Sequence, residues 1–349
     1  MHHITVLGID LAKHVFQLHG TNEKGEVVLK KRIKNRETFS RFIAELPPCL
    51  IGMEACGSAH HWGRRFQSYG HQVKLMHPHY VKAFVQRNKH DAADAQACNE
   101  AARQGVIKSV PVKNTEQQAI LMLHKLRARL VANQTRLSNQ IRGCLYEFGL
   151  IIPQGKAALL QRIPEILEDT ENGLPDLVRR LLSDLSEEYR ALKHQVSIYD
   201  KQMKSLGKTD ESCQRLQSVP GIGPITATAF VATLSGYEFD KGRQAAAMLG
   251  LTPKEHSSGG TRRLGRISKQ GNRYLRCLLI HGARSVVLTS KHKTDRLSLW
   301  VQRMVREKGY NKAVVALANK NARRAWSILA NGGSYEADFA DYFEYQHAA

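Results

Sequence analysis

No two of the six cysteines form a C-x-x-C pair. That argues against a zinc ribbon and against a disulfide framework, and leaves reduced thiols in a cytosolic protein as the simple reading. No apolar run approaches the roughly 20 residues a membrane span needs, and the opening MHHITVLGIDLAKH lacks the charged-then-apolar order of a signal peptide. Acidic residues are also short: 31 Asp and Glu stand against 52 Lys and Arg, a formal net charge of +21 at pH 7. A surplus that large points to a polyanionic partner, with nucleic acid first. At 349 residues, 42% hydrophobic and 24% charged, the chain reads as folded and long enough for two or three domains.

The surplus is uneven. Residues 1–110 carry 16 basic and 9 acidic side chains, residues 111–240 carry 16 and 15, and residues 241–330 carry 20 and 3. A solvated helical face would mix both signs, so the ninety-residue stretch 241–330 is read as the main nucleic-acid contact.

Apolar runs at 3–9, 14–19 and 26–33 read as a meander of three strands. Helix 36–46, strand 49–53, helix 58–69, strand 72–76 and helices at 79–87 and 91–104 follow. That is the order of an α/β ribonuclease-H-like domain, assigned to residues 1–110. Apolar positions at helical spacing then predict long helices over 115–148 and 174–206, joined by a short connector. Residues 111–210 are therefore read as a long helical arm, either an antiparallel hairpin or a coiled-coil dimer arm, with an ordinary helical linker as the plain alternative. Residues 211–332 read as an all-α C-terminal domain in which 252–270 is a polar, glycine-containing loop, and 333–349 as an acidic, aromatic tail.

Asp10 follows the first strand and Glu54 ends the fourth, and these strands are adjacent in a ribonuclease-H-like sheet. Asp91 and Asp94 lie three apart on one helix face. Four acids there would repel one another unless divalent cations with a taste for hard oxygen ligands neutralised them. Two Mg²⁺ ions about 4 Å apart would clamp both oxygens of a phosphodiester displacement. Taken singly, each acid also fits a structural role, as a turn residue or a helix N-cap.

The V-P-G-I-G stretch at 219–223 resembles the turn of a helix-hairpin-helix element, with Gly221 and Gly223 letting the backbone approach a phosphate and the next helix offering free N–H groups. A plain tight turn is the alternative. In the stretch H-S-S-G-G at 256–260, glycines beside a serine admit a phosphate. Arg262, Arg263, Arg266, Lys269, Arg273 and Arg276 follow and would neutralise a phosphoryl transition state. A flexible loop would have the same composition.

These segments occur in order with G-I-D-L-A-K at 8–13, M-E-A-C-G at 53–57, D-A-A-D-A at 91–95, G-L-T-P at 250–253 and R-L-G-R-I-S-K-Q-G-N-R-Y-L-R at 263–276. Together they closely resemble the DEDD transposases of the bridge-RNA-guided insertion sequences, the "one-ten" family and most of all its "eleven-eleven" subgroup, over residues 3–330. The resemblance implies a RuvC-like domain, a coiled-coil arm and a C-terminal transposase domain. It implies Asp10, Glu54, Asp91 and Asp94 as ligands of Mg²⁺ and Ser258 as nucleophile, with Ser257 one position away. It also implies a homotetramer acting on donor and target DNA, a structured noncoding guide RNA, and a cytoplasmic, nucleoid-associated place in a prokaryotic cell. Against it stand a metal-only nuclease that uses water and ignores Ser258, resembling a Holliday-junction resolvase, and a non-catalytic RNA- or DNA-binding protein.

Overall fold

The structure is a computed structural model and describes residues 3–85 and 91–336. The chain divides into two compact units, residues 1–118 with 235–238 and residues 119–234 with 239–349. Among the described residues no helix is long and apolar enough to cross a membrane.

The first unit is built on a five-stranded sheet. Strands β1 (Val6–Leu11), β2 (Phe16–Thr21) and β3 (Val27–Ile33) precede helix α1 (Arg36–Ala44). Then come β4 (Leu50–Glu54), α2 (Ala59–Ser68), β5 (Gln72–Met76), α3 (Pro78–Lys82) and α4 (Asp91–Arg103). The spatial order is β3-β2-β1-β4-β5. The first three strands pair antiparallel, while β4 runs parallel to both β1 and β5. Period-2 side chains divide the apolar residues between two faces. Leu7, Ile9, Ile51 and Met53 join Phe16, Phe39, Trp62 and Phe66 in one core with α1 and α2. Met76, Val81, Cys98 and Ala101 form a second core with α3 and α4. Two expectations shift. Asp10 lies inside β1 rather than after it, and the helix expected over 79–87 ends at Lys82, residues 86–90 lying outside the described part.

The second unit is mostly helical. α5 (Thr115–Tyr146), α6 (Lys156–Glu168) and α7 (Asp176–Thr209) share a core of Leu137, Ile141, Leu145, Ile163, Leu182 and Tyr189. An Arg127–Asp200 ion pair ties the early part of α5 to the late part of α7, so those two helices run antiparallel. The expected short connector is thus a 13-residue helix of its own, with Pro164 inside it. Next come α8 (Glu211–Gln217), α9 (Pro224–Leu234) and α10 (Gly242–Met248). After them lie strands β6 (Pro253–Glu255) and β7 (Leu264–Ile267), then helices α11 (Arg273–Thr289), α12 (Arg296–Lys308) and α13 (Tyr310–Asn331). The antiparallel β6–β7 ribbon corrects both the all-α expectation for this region and the reading of 252–270 as a loop. Residues 332–336 return to α8's end: the Tyr335 amide donates to Ser218 Oγ at 2.7 Å, and the Arg324 guanidinium lies 4.8 Å from the Tyr335 ring centroid. The rest of the expected acidic tail lies outside the described residues.

Candidate active site

Ile9 pairs with Met53 across the parallel β1–β4 ladder. One residue further, Asp10 and Glu54 stand side by side at the strand ends. Alternation puts both on the side of Gly8 and Gly52, and that side is covered by α4. The two glycines set how closely the helix lies. A Cβ on Gly52 would come within 2.5 Å of the Ala102 methyl and 2.7 Å of the Cys98 carbonyl, and one on Gly8 would collide with the backbone of Ala95 and Asn99. Asn99, fully buried, pins the helix there. Its Nδ2 donates to Val6 O at 2.9 Å and to His19 O at 3.0 Å, and its Oδ1 accepts from Thr21 Oγ1 at 3.2 Å.

This packing carries Asp94, in the first turn of α4, toward the two strand-borne acids. Cys98, one turn further along the same helix face, reports the convergence. Its thiol is pushed up to about 12, chiefly by burial, with the charges of Asp10, Glu54 and Asp94 all adding. Burial and then Glu54 and Asp10 raise the Cys56 thiol as well. Three carboxylates therefore share one half-buried patch, while Asp91 is exposed a turn earlier on α4. Carboxylate oxygens are the donor chemistry that suits a hard divalent cation. Among the described residues no three His, Cys, Asp or Glu side chains already stand in ready-made metal-binding geometry.

Ser58, four residues past Glu54, has φ 69°, a left-handed backbone at a non-glycine residue, where it caps α2 without a side-chain hydrogen bond. Such strain clusters at functional sites. Neither Ser58 nor Asn99 was visible in the sequence reading. M-E-A-C-G-S carries no turn signature for a left-handed serine, and an Asn within a helical run reads as surface.

In the second unit the ribbon turns through Ser258-Gly259-Gly260-Thr261. Gly259 and Gly260 have φ of 56° and 76°, and the Thr261 amide donates to the Ser258 carbonyl at 3.0 Å. Positive φ at both central residues is the demand of a tight hairpin turn, which explains the Gly-Gly pair. The two serines differ. Ser257 Oγ donates to Glu255 Oε1 at 2.8 Å and accepts from the Arg263 amide at 3.1 Å. Ser258 is exposed at the turn, and its hydroxyl has no hydrogen bond among the described residues.

Arg262, Arg263, Arg266, Lys269 and Arg273 are exposed around and after the ribbon. Arg276 is not, which corrects its assignment to nucleic acid. At 7% exposure its guanidinium donates to Leu249 O and Gln270 O, both at 2.9 Å, and so fastens the ribbon's exit to the body of the unit. Gly221 is likewise a packing residue: with φ 91°, its backbone lies against Gly282 of α11 so closely that a Cβ would meet the Gly282 carbonyl at 2.9 Å. Gly223 keeps the expected openness. A Cβ there meets nothing within 4 Å, and its carbonyl accepts the first bond of α9, from the Ala227 amide at 2.9 Å.

Behind this surface runs a buried polar chain. Arg127 Nε donates to Asp200 Oδ1. The Tyr274 hydroxyl lies 3.1 Å from His124 Nδ1, His124 Nε2 lies 3.1 Å from Thr228 Oγ1, and Thr228 donates to Pro224 O at 2.9 Å. These contacts join α5 to α7 and, separately, to α9 and α11.

Comparison with known proteins returns one group. The description "Transposase IS116/IS110/IS902 family" matches residues 213–300, and a DEDD description of IS110 type, "Transposase", matches residues 7–149. A Pseudomonas aeruginosa protein named "Probable family 20 transposase" is 45% identical over 331 residues, 94% of this chain and 98% of its own length. The "Transposase for insertion sequence element IS1111A" of Coxiella burnetii is 41% identical, covering 96% of this chain and 92% of its own. The "Transposase for insertion sequence element IS1328" of Yersinia enterocolitica is 37% identical over 95% and 98%.

Proposed function

The chain belongs to the IS116/IS110/IS902 family of insertion-sequence transposases, DNA-recombining enzymes whose DEDD domain suggests use of a divalent metal, and from that premise we propose that it exchanges DNA strands through a covalent serine–DNA intermediate. In this reading residues 1–110 hold the acids, 111–210 form a coiled-coil arm, 211–332 carry the serine and 333–349 are an acidic tail. Asp10, Glu54, Asp91 and Asp94 would together hold Mg²⁺, two ions per site. The bound ions would supply neutralising charge and Lewis acidity at the scissile phosphate.

Ser258 Oγ attacks a DNA phosphorus. The Oγ–P bond forms as the P–O3′ bond breaks, and the serine's proton ends on the departing 3′-oxygen. In the second step the 3′-hydroxyl of the partner duplex attacks the phosphoserine. A new P–O3′ bond forms, the Oγ–P bond breaks and the proton returns to the serine, with no net hydrolysis. Arg262, Arg263, Arg266, Lys269 and Arg273 hold phosphates and offset the transition-state charge. Gly223 and the start of α9 offer backbone contact to a phosphate. A homotetramer guided by a structured noncoding RNA, working at the nucleoid of a prokaryotic cell, completes the proposal. Exposed Tyr146, Phe148, Ile151, Leu177 and Leu181 at one end of the α5–α7 pair support self-association there.

The observation that carries the serine reading is the contrast between the hydroxyls of two adjacent exposed serines, one tied to Glu255 and the Arg263 amide, the other without a hydrogen bond among the described residues beside a Gly-Gly turn. Trapping on a suicide DNA substrate in Mg²⁺ tests it. Ser258→Ala is expected to lose all covalent adduct while keeping RNA binding, Ser257→Ala still to form the adduct but more slowly, and Asp10→Asn to block cleavage. Full recombination by Ser258→Ala, or free 5′-phosphate ends with no adduct in the parent protein, would establish a water-using nuclease instead. Retained cleavage by Asp10→Asn would remove the metal role.

A further inference from the structure

Between Asp240 and Asp295 the chain has a single carboxylate, Glu255, amid the densest cationic stretch of the protein. An anion there repels a DNA backbone, so its presence calls for a local task. Glu255 closes β6 opposite Leu264. Its carboxylate reaches forward to accept from Ser257 Oγ at 2.8 Å. That oxygen in turn accepts from the Arg263 amide on the opposite arm, at 3.1 Å, and the next rung is the His256 amide on the Arg263 carbonyl at 3.0 Å. Arg262 Nε lies 3.8 Å from the same carboxylate oxygen. One acid thus stitches both arms of the hairpin immediately behind the turn.

A two-stranded ribbon is marginal alone, and this one turns through two glycines. Without a stitch, the tip is free to slip and to offer either hydroxyl. With it, the Ser257 hydroxyl is engaged on both sides, while that of Ser258 has no hydrogen bond among the described residues. We propose that Glu255 is the positioning residue of the serine ribbon, selecting Ser258 over Ser257 and fixing its presentation to the scissile phosphate. The proposal rests on the serine reading above. The ion pair to Arg262 is a lesser part, since the two side chains are 45% and 66% exposed. The hydrogen bond to Ser257 carries the effect.

The test uses the full-length protein and a suicide duplex, with single-turnover adduct formation and duplex affinity measured side by side. Glu255→Ala is expected to slow adduct formation roughly ten- to a hundredfold, the scale of a small misplacement of a reacting group, while affinity holds or tightens because a negative charge is gone. Glu255→Gln retains an acceptor for Ser257 and recovers most of the rate. Ser257→Ala reproduces the Glu255→Ala defect, and the double variant is no slower than either single one. A parental rate in Glu255→Ala, a rate loss explained wholly by weaker binding, or a Gln variant as slow as the Ala variant would overturn the proposal. If Ser258→Ala abolishes adducts while Glu255→Ala is unimpaired, the positioning role alone fails. If adducts survive Ser258→Ala, or the parent forms none, the serine reading fails and this one with it.

Discussion

Asn99 ties α4 to the first two strands, next to the acids around Cys98. Asn99 makes three hydrogen bonds from a fully buried amide, and its removal leaves two strand carbonyls and a threonine hydroxyl short of a partner. Each orphaned buried group costs about 1–3 kcal/mol. Asn99→Ala is therefore expected to destabilise the first unit by roughly 2–4 kcal/mol in urea denaturation, and to weaken metal-dependent cleavage because Asp94 rides on the helix that Asn99 pins. The charges of Asp10, Glu54 and Asp94 all act on the Cys98 thiol beside this anchor. The acids were legible as candidates because short motifs mark them. Asn99 was not, because its value comes from the carbonyls of Val6 and His19, some eighty to ninety positions away along the chain.

Legibility at the level of elements followed the strength of each periodic signal. The first-unit strands and the long helices α5 and α7 announce themselves through one-sided apolar patterns. The β6–β7 ribbon does not. All three β6 residues and three of the four in β7 are exposed, so no buried face imposes an apolar alternation. Gly155 just before α6 and Pro164 inside it read as breakers. Yet Leu159, Ile163 and Ile166 are buried along one face, and that packing outweighs the hydrogen bond proline cannot donate. Between the elements, the His124 relay predicts a pH dependence. Burial first, and the nearby Arg127 second, lower this histidine from 6.5 to about 4. The unfolded chain therefore binds the proton more tightly. Stability is full above about pH 6.5 and falls as the pH drops toward 4, by about 3 kcal/mol in total. His124→Gln should lose this component, so the gap between parent and variant is expected to narrow between pH 7 and pH 4.5 in urea titrations. A constant gap would show that His124 does not carry the dependence.

Charge was the feature of the whole molecule most readable without coordinates, because net charge adds along a chain regardless of fold. The sequence alone put 20 basic and 3 acidic side chains within residues 241–330. It did not reveal which cations face solvent. Arg276 belongs to the same run as Arg262, Arg263 and Arg266, yet it is buried against Leu249 and Gln270 while the other three are exposed. The distinction has a measurable consequence. Each cation that neutralises a phosphate releases condensed counterions, so each one removed lowers the slope of log affinity against log salt by about 0.9 on duplex DNA. Arg262→Ala, Arg263→Ala and Arg266→Ala combined should flatten the slope by roughly 2–3. Arg276→Ala should leave the slope nearly unchanged and instead lower the melting temperature, since it strips donors from two carbonyls. Anisotropy titrations from low to moderate KCl measure the slopes, and thermal denaturation measures the second effect. An unaltered slope in the triple variant would take the ribbon out of the DNA interface, and a flattened slope without loss of stability in Arg276→Ala would return that arginine to it.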